Sequence, residues 1–167
     1  MGIGTRVSDM LFSTDIHILV TSDVDTVRLV ITHLLRQLGY WKISEASNTD
    51  MALRSFRNAM SVRSPIDFLI SGLCSDDDAS IKLITSVREI NVLAKTPILL
   101  VTKQATKKII AEAAHAGADA CLVTPIRAIR LQQKIDELSR KYRSVSNTGR
   151  PLGQAPKGHS MDMLDVA

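Results

Sequence analysis

The stretch "FLISGLCSDDD", residues 68–78, begins as a short apolar run and ends in three consecutive aspartates. Phe68, Leu69 and Ile70 form a run that is typical of a strand covered on both faces, as in a parallel sheet. In α/β proteins, the loop that follows such a strand is where reaction chemistry usually lies. The residue at the strand exit is Gly72, which carries no side chain. The stretch therefore predicts a buried parallel strand that leads to a site position without a functional group.

Similar apolar runs recur on both sides of this strand, separated by segments with helical periodicity. Five predicted strands are "IHILVT" (16–21), "KISEAS" (42–47), "IDFLIS" (66–71), "PILLVT" (97–102) and "ACLVT" (120–124). Parallel strands require crossover connections, and helices supply them here. The sequence thus predicts an α/β fold, a flavodoxin-like (βα)5 three-layer sandwich around a central five-stranded parallel sheet.

The helical segments show which side chains should face the sheet. In the first helix the predicted apolar face consists of Val27, Val30, Ile31, Leu34 and Leu38. In the fifth helix the residues predicted to face inward are Ile129, Ile135 and Leu138. Leu29 points about 160° away from the apolar face of the first helix, so we expect it to be exposed.

Composition narrows the class of protein. A chain of 167 residues with 45% hydrophobic residues fits one domain with its own core. No apolar run approaches the ~18 residues of a membrane span, and the N-terminus is not typical of a secretory signal. Cys74 and Cys121 have no metal-binding spacing and are predicted to be reduced thiols. We therefore expect a cytoplasmic protein that does not contact a membrane.

The order and spacing of five motifs resemble the receiver domain of bacterial response regulators, the CheY-like family. They are "ILVTSD" (18–23), "LLRQLGY" (34–40), "FLIS" (68–71), "PILLVT" (97–102) and "AGADACLVTP" (116–125). The resemblance covers roughly residues 15–142, and we assign residues 15–143 to a receiver-like domain. Residues 1–14 are then an N-terminal extension, and 144–167, rich in Gly, Pro and Ser, are predicted to be a disordered tail. A docking peptide at 161–166 is the alternative for the end of this tail.

The resemblance implies a reaction in which an aspartate at the end of the third strand accepts a phosphoryl group. Two acidic residues after the first strand would hold Mg²⁺, which neutralises the charge of the transferred group. The acceptor position falls on Gly72, and the acidic pair falls on Ser22 and Asp23. Glycine offers no atom for an acyl phosphate, and one carboxylate binds Mg²⁺ poorly.

The remaining positions implied by the family are also altered. A hydroxyl that contacts the phosphoryl oxygens is kept as Thr102, but the lysine that assists it falls on Thr124. The aromatic residue that senses the switch falls on Cys121. The losses agree with one another and predict a degenerate pseudo-receiver, with no enzymatic activity, no cofactor and no metal.

Asp76, Asp77 and Asp78 leave one alternative open, an unconventional acceptor with Asp23 as the metal anchor. The competing interpretation is that one of the three caps the third helix, because acidic residues are favourable near a helix N-terminus.

Without phosphorylation, the function must come from binding, and two surfaces are candidates. In receivers the first helix packs on a histidine kinase, so an exposed Leu29 suggests that docking to a kinase or phosphotransferase is retained. The second surface is the face of the fourth helix, fifth strand and fifth helix, through which a homodimer is also possible. Its predicted partner-binding residues are Lys103, Lys107, Lys108, Cys121, Arg127 and Arg130.

The basic charge raises a third possibility. The chain carries 21 basic and 17 acidic residues, with a pI near 9.3. A nucleic-acid-binding adaptor is therefore an alternative, but no stacking aromatics accompany the basic residues, which makes nucleic acid the less favoured partner.

Overall fold

The computed structural model describes residues 14–73, 78–147 and 164–165. The strands are β1 (Ile18–Thr21), β2 (Ile43–Ala46), β3 (Phe68–Leu73), β4 (Ile98–Thr102), β5 (Ala120–Val123) and β6 (Leu164–Asp165). The helices are α1 (Asp25–Gln37), α2 (Thr49–Ser61), α3 (Ala79–Glu89), α4 (Lys107–Ala116) and α5 (Ala128–Asn147), with a 3₁₀ turn at Asn91–Leu93. Among these residues, no helix combines the length and the apolar character needed to cross a membrane.

The strands form one parallel sheet in the order β2-β1-β3-β4-β5-β6. Helices connect the first five strands, so the predicted flavodoxin-like sandwich is confirmed. The structure differs from the prediction at the end of the chain. Helix α5 continues beyond residue 143 to Asn147, and Leu164 and Asp165 extend the sheet as β6, where an irregular tail was expected. The rest of the tail and residues 1–13 lie outside the described residues.

The core consists of two layers because successive side chains of a strand point to opposite faces of the sheet. Leu19, Leu69 and Leu100 pack on one face with side chains of α2, α3 and α4. Their strand neighbours pack on the other face with α1 and α5, and the buried members there include Ile18, Val20, Phe68, Ile70, Leu99, Val101, Ile31 and Leu131. The β3 run is fully buried on both faces, as its sequence predicts.

Two helix-face predictions are wrong. Val30 is 53% exposed and Ile129 is 55% exposed, although both were expected to face the core. Ile135 and Leu138 are buried as predicted. Ile129 stands in the first turn of α5, and a helical wheel cannot tell where the neighbouring elements stop covering a helix.

A buried ionic cluster ties α5 to the amino ends of the strands. The Asp119 carboxylate accepts hydrogen bonds from Arg88 Nη2 (2.8 Å), from the Ile98 backbone N–H (2.8 Å) and from the Tyr142 hydroxyl (2.7 Å). Arg88 also donates to the carbonyl oxygens of Gly117, Ala94 and Thr96. Because these partners satisfy the buried charges, the cluster is structural and leaves the opposite end of the sheet to function.

Candidate functional site

The altered family positions meet at the carboxyl edge of the sheet. Thr21 pairs with Ser71, and Gly72 pairs with Val101, so the residues that end β1, β3 and β4 lie side by side. The backbone N–H of Thr124 donates to the carbonyl of Thr102 (2.9 Å), which brings the end of β5 to the same edge. The predicted site residues Ser22, Gly72, Thr102 and Thr124 are therefore brought together.

The side chains of Ser22 and Val27 pack closely against the Cα atom of Gly72. A Cβ atom built on Gly72 would lie 3.1 Å from Ser22 Cβ, 3.1 Å from Val27 Cγ1 and 3.2 Å from Ser22 Oγ. These separations are shorter than ordinary van der Waals contacts between such atoms. The Gly72 carbonyl accepts a hydrogen bond from the Ser80 hydroxyl at 3.0 Å. The family's acceptor position therefore carries no carboxylate, and a side chain there would require Ser22 or Val27 to shift by a few tenths of an ångström.

Ser22 is buried and held by local hydrogen bonds. Its Oγ accepts from the backbone N–H of Val24 (3.2 Å), and its carbonyl accepts from Arg28 Nη1 (2.6 Å). Arg28 also forms an ion pair with Asp25 one helical turn away. Sequence reasoning missed Arg28; the Asp25–Arg28 spacing of three residues on α1 was the available signal.

The donor set does not fit the Mg²⁺ that the family implies. Asp23 is exposed and is the one carboxylate among the positions that the family uses for the acidic pair and the acceptor. The Ser22 carbonyl already accepts from the Arg28 guanidinium, and Gly72 offers no side chain. Within the part of the chain that the structure describes, no three His, Cys, Asp or Glu residues are grouped as metal ligands. Mg²⁺ prefers several oxygen ligands, including carboxylates, and this edge does not present them.

Thr102 and Thr124 keep their places without forming a phosphate-binding pair. The Thr102 hydroxyl is buried, donates to the Gln104 carbonyl (3.1 Å) and accepts from the Gln104 N–H (3.2 Å). Thr124 is half-buried and precedes Pro125. Neither residue supplies the cation that would balance an anionic product.

The aspartate loop is described only at its last member. Asp78 is exposed and precedes α3, but its side chain makes no capping hydrogen bond, so the capping expectation is wrong for this residue. Its backbone carbonyl accepts from the Lys82 N–H at 2.8 Å. Cys74, Asp76 and Asp77 lie outside the described residues. The alternative in which Asp76 or Asp77 accepts the phosphoryl group therefore stays a prediction.

Comparison with known proteins identifies the family. A model of the response regulator receiver domain matches residues 18–136. This chain belongs to that family. The chemotaxis protein CheY-3 of Vibrio cholerae is 28% identical over 130 residues, covering 78% of this chain and 96% of that protein. The chemotaxis protein CheY of Pseudomonas aeruginosa is 33% identical over 121 residues, covering 72% and 94%.

Solved structures agree with the fold of this receiver domain. Vibrio cholerae CheY4 has a TM-score of 0.63 at 24% identity, with 74% of this chain and 98% of that chain covered. A receiver domain protein from Clostridium thermocellum has a TM-score of 0.66 at 19% identity, covering 78% and 98%. The match to the family model and the two chemotaxis relatives make this chain a CheY-like receiver domain of two-component signalling, and the solved structures agree with its fold.

Helix α1 and the residue before it expose three apolar side chains near the carboxyl edge of the sheet. Leu29 is 67% exposed, as the helical wheel predicts. It is joined by the exposed Val30 and by Val24, which precedes the helix. We call Val24, Leu29 and Val30 the α1 patch. An apolar patch beside the family's reaction site is suited to contact with another protein.

The second predicted surface of the receiver domain is basic and accessible in most of its members. Lys103, Lys107, Lys108 and Arg127 are exposed, and Arg130 is half-buried. Lys108 forms a loose ion pair with Glu112 (3.8 Å), which an acidic partner could replace at little cost.

Cys121 is the exception among the predicted partner-binding residues. Its side chain is 2% exposed and packs in the core layer shared with α2, α3 and α4. Burial raises the pKa of its thiol to about 11. The prediction that Cys121 contacts a partner directly is therefore wrong.

Proposed function

We propose that this receiver domain does not accept a phosphoryl group at the end of β3 and acts in two-component signalling by binding other proteins, without catalysing a reaction. The observation that carries the proposal is Gly72 itself, which has no side chain at the end of β3 and is crowded by Ser22 and Val27, each 3.1 Å from a built Cβ. The strand end therefore offers no acceptor atom, and its neighbours already pack closely against the backbone where a side chain would begin.

The Arg28 guanidinium supports the same proposal. It donates to the Ser22 carbonyl at the position where the family places its metal ligands, and it pairs with Asp25. A fixed cation at this edge opposes the approach of a divalent cation, because like charges repel strongly at short range. The chain thus stabilises the loop after β1 with its own side chain.

The α1 patch is the proposed docking surface for a histidine kinase or a phosphotransferase. A helix that presents adjacent exposed apolar side chains can pack on another helical surface, and burial of Leu29 would supply much of the affinity. Bound there, the protein would occupy a kinase and exclude a phosphorylatable receiver. Such a role places the protein in the cytoplasm.

The basic surface is better suited to an acidic protein than to nucleic acid. The exposed aromatic side chain of Trp41 lies before β2, at the amino ends of the strands, and the Lys42 ammonium lies 4.7 Å from its ring centroid. Lys103 and Arg127 follow β4 and β5, at the opposite ends. Single-stranded nucleic acid needs aromatic and basic groups in one groove, and these are separated by the length of the sheet.

The direct test is incubation with acetyl phosphate and Mg²⁺ followed by intact-mass measurement. A receiver with its acceptor aspartate serves as the positive control, and a Ser71→Ala/Thr102→Ala variant excludes hydroxyl phosphorylation. We expect no added phosphate. A gain of one phosphate that persists in the double variant and is lost on changing Asp76, Asp77 or Asp78 to Asn would overturn the proposal.

A second test addresses the kinase. Phosphotransfer from a histidine kinase of the source organism to its own regulator is measured with and without an excess of this protein. We expect slower transfer in its presence. Unchanged transfer across all kinases that bind the protein would contradict blockade and leave the basic surface as the site of action.

A further inference from the structure

The edge of β5 carries a feature that the five-stranded family fold does not require. Leu164 and Asp165 pair with β5 in parallel, with Cys121 opposite Leu164 and Leu122 opposite Asp165. In a five-stranded sheet of this order, β5 would be an edge strand with unpaired backbone N–H and C=O groups. Strand β6 covers that edge, which lies between α4 and α5.

The connection to β6 is compatible with the geometry of the fold. Helix α5 runs from the carboxyl end of β5 back toward the amino ends of the strands, so a following strand enters parallel to β5, as in any βαβ unit. Residues 148–163 can extend to roughly 50 Å, and α5 is about 30 Å long. The chain that follows α5 can therefore return to the edge without strain.

Charge complements the pairing. The two acidic residues that follow residue 143 in the sequence, Asp162 and Asp165, both belong to the hexapeptide "MDMLDV" (161–166). At the start of α5, Arg127 is exposed and Arg130 is half-buried, and their spacing of three residues places them on one side of the helix. Strand β6 thus lies within an acidic and apolar stretch of the sequence and pairs with the strand that precedes this basic helix.

We propose that the β5 edge is a strand-binding surface and that the acidic segment of the same chain that contains Leu164 and Asp165 is its occupant. Main-chain hydrogen bonds would supply the affinity, and the basic side chains of α5 would select an acidic segment. A consequence that rests on the proposed function is that a protein using the face formed by α4, β5 and α5 has to displace this segment first.

Amide hydrogen exchange of the full chain tests the pairing without any partner protein. Leu164→Pro removes one of the two backbone N–H groups of β6 and restricts its backbone, which should weaken the pairing with β5. Gln154→Pro changes the same tail outside the strand and is the matched control. We expect the β5 amides that face away from β4 to exchange about tenfold faster in Leu164→Pro, with β1 amides unchanged and with Gln154→Pro like the parent.

Two outcomes would overturn the proposal. Equal exchange of the β5 amides in the parent and in Leu164→Pro would mean that β6 does not protect the edge. Protection that disappears on about a hundredfold dilution of the parent protein would mean that the occupant comes from a second copy of the chain. Because neither readout involves a kinase or phosphate, the result is independent of the proposed function.

Discussion

At the scale of single residues, Gly72 links the missing carboxylate to the packing of β1 against β3. We expect Gly72→Ala to change the free energy of unfolding by less than about 1 kcal/mol, because the contact with Ser22 opposes the backbone gain. Gly72→Asp should lower it by about 2–4 kcal/mol, since a buried carboxylate is added to the overpacking. Urea unfolding of the two variants measures the difference.

Gly72→Asp should also fail to gain phosphate, because Thr124 supplies no cation and Arg28 remains at the Ser22 carbonyl. Intact-mass measurement with acetyl phosphate checks this. A stable variant that becomes phosphorylated would show that the site lacks only its nucleophile and that the neighbours are free to move.

Cys121 predicts a loss of stability at alkaline pH. Burial raises the pKa of its thiol from 9.0 to about 11, so the unfolded chain releases this proton first. The contribution of the buried, neutral thiol to the free energy of unfolding is complete below pH 9. It is lost as the pH rises toward 11, at up to about 1.4 kcal/mol per pH unit. Urea unfolding between pH 8 and about 11 should show a steeper decline for the parent than for Cys121→Ala.

The slope difference, and not the absolute stability, is the informative quantity, because Cys121→Ala also leaves a small cavity. Burial raises the pKa of Tyr40 to about 12. Because Tyr40 is present in both proteins, its effect on the two slopes cancels in their difference. Parallel pH profiles would contradict the assignment of the thiol as a buried, neutral core residue.

At the scale of elements, α1 offers the clearest separation of binding from stability. Leu29 is 67% exposed and Val62, at the end of α2, is 72% exposed, so a glutamate at either position should change the free energy of unfolding by less than about 0.5 kcal/mol. We expect Leu29→Glu to weaken binding to a histidine kinase or phosphotransferase at least about tenfold. Val62→Glu, the matched control, should bind like the parent.

Biolayer interferometry with kinases of the source organism measures both variants. If Leu29→Glu bound as tightly as the parent, the α1 patch would not be the docking surface, and variants of Lys107 and Arg127 would become the next to test.

The elements also show what the sequence could and could not predict. The strands were predictable because short apolar runs such as Phe68–Ile70 are typical of strands that are buried on both faces of a sheet, and this run is fully buried. The exposure of Val30 and Ile129 could not be predicted, because it depends on where the neighbouring helices and strands end. Strand β6 was missed because an edge pairing depends on long-range contacts that leave little local pattern.

The candidate site divides along the same line. The absence of a nucleophile at Gly72 could be predicted from its position at the end of the third strand. The exposure of Leu29 could be predicted from the helical wheel. The crowding of Gly72 by Val27 and the hydrogen bond from Arg28 to the Ser22 carbonyl could not be predicted. Both depend on side-chain positions in three dimensions.

At the scale of the whole molecule, the carboxyl edge is held by its own hydrogen bonds in place of a ligand. Arg28 holds the loop after β1, Ser80 holds the end of β3, and the Thr102 hydroxyl holds the loop after β4. A ligand shifts a protein between states only if it binds one of them more tightly. With these groups already paired, we expect the molecule to populate one state whether or not Mg²⁺ and phosphoryl donors are present.

This expectation can be measured as the thermal unfolding midpoint with and without Mg²⁺. A site occupied at about one hundred times its dissociation constant would stabilise the fold by ~2.7 kcal/mol, or roughly 5–10 °C for a domain of this size. We expect no shift beyond that caused by ionic strength, with NaCl of equal ionic strength as the control. A rise specific to Mg²⁺ that disappears in Asp23→Asn would instead mean that the exposed carboxylate anchors a metal, and the aspartates that follow β3 would then have to be considered as its partners.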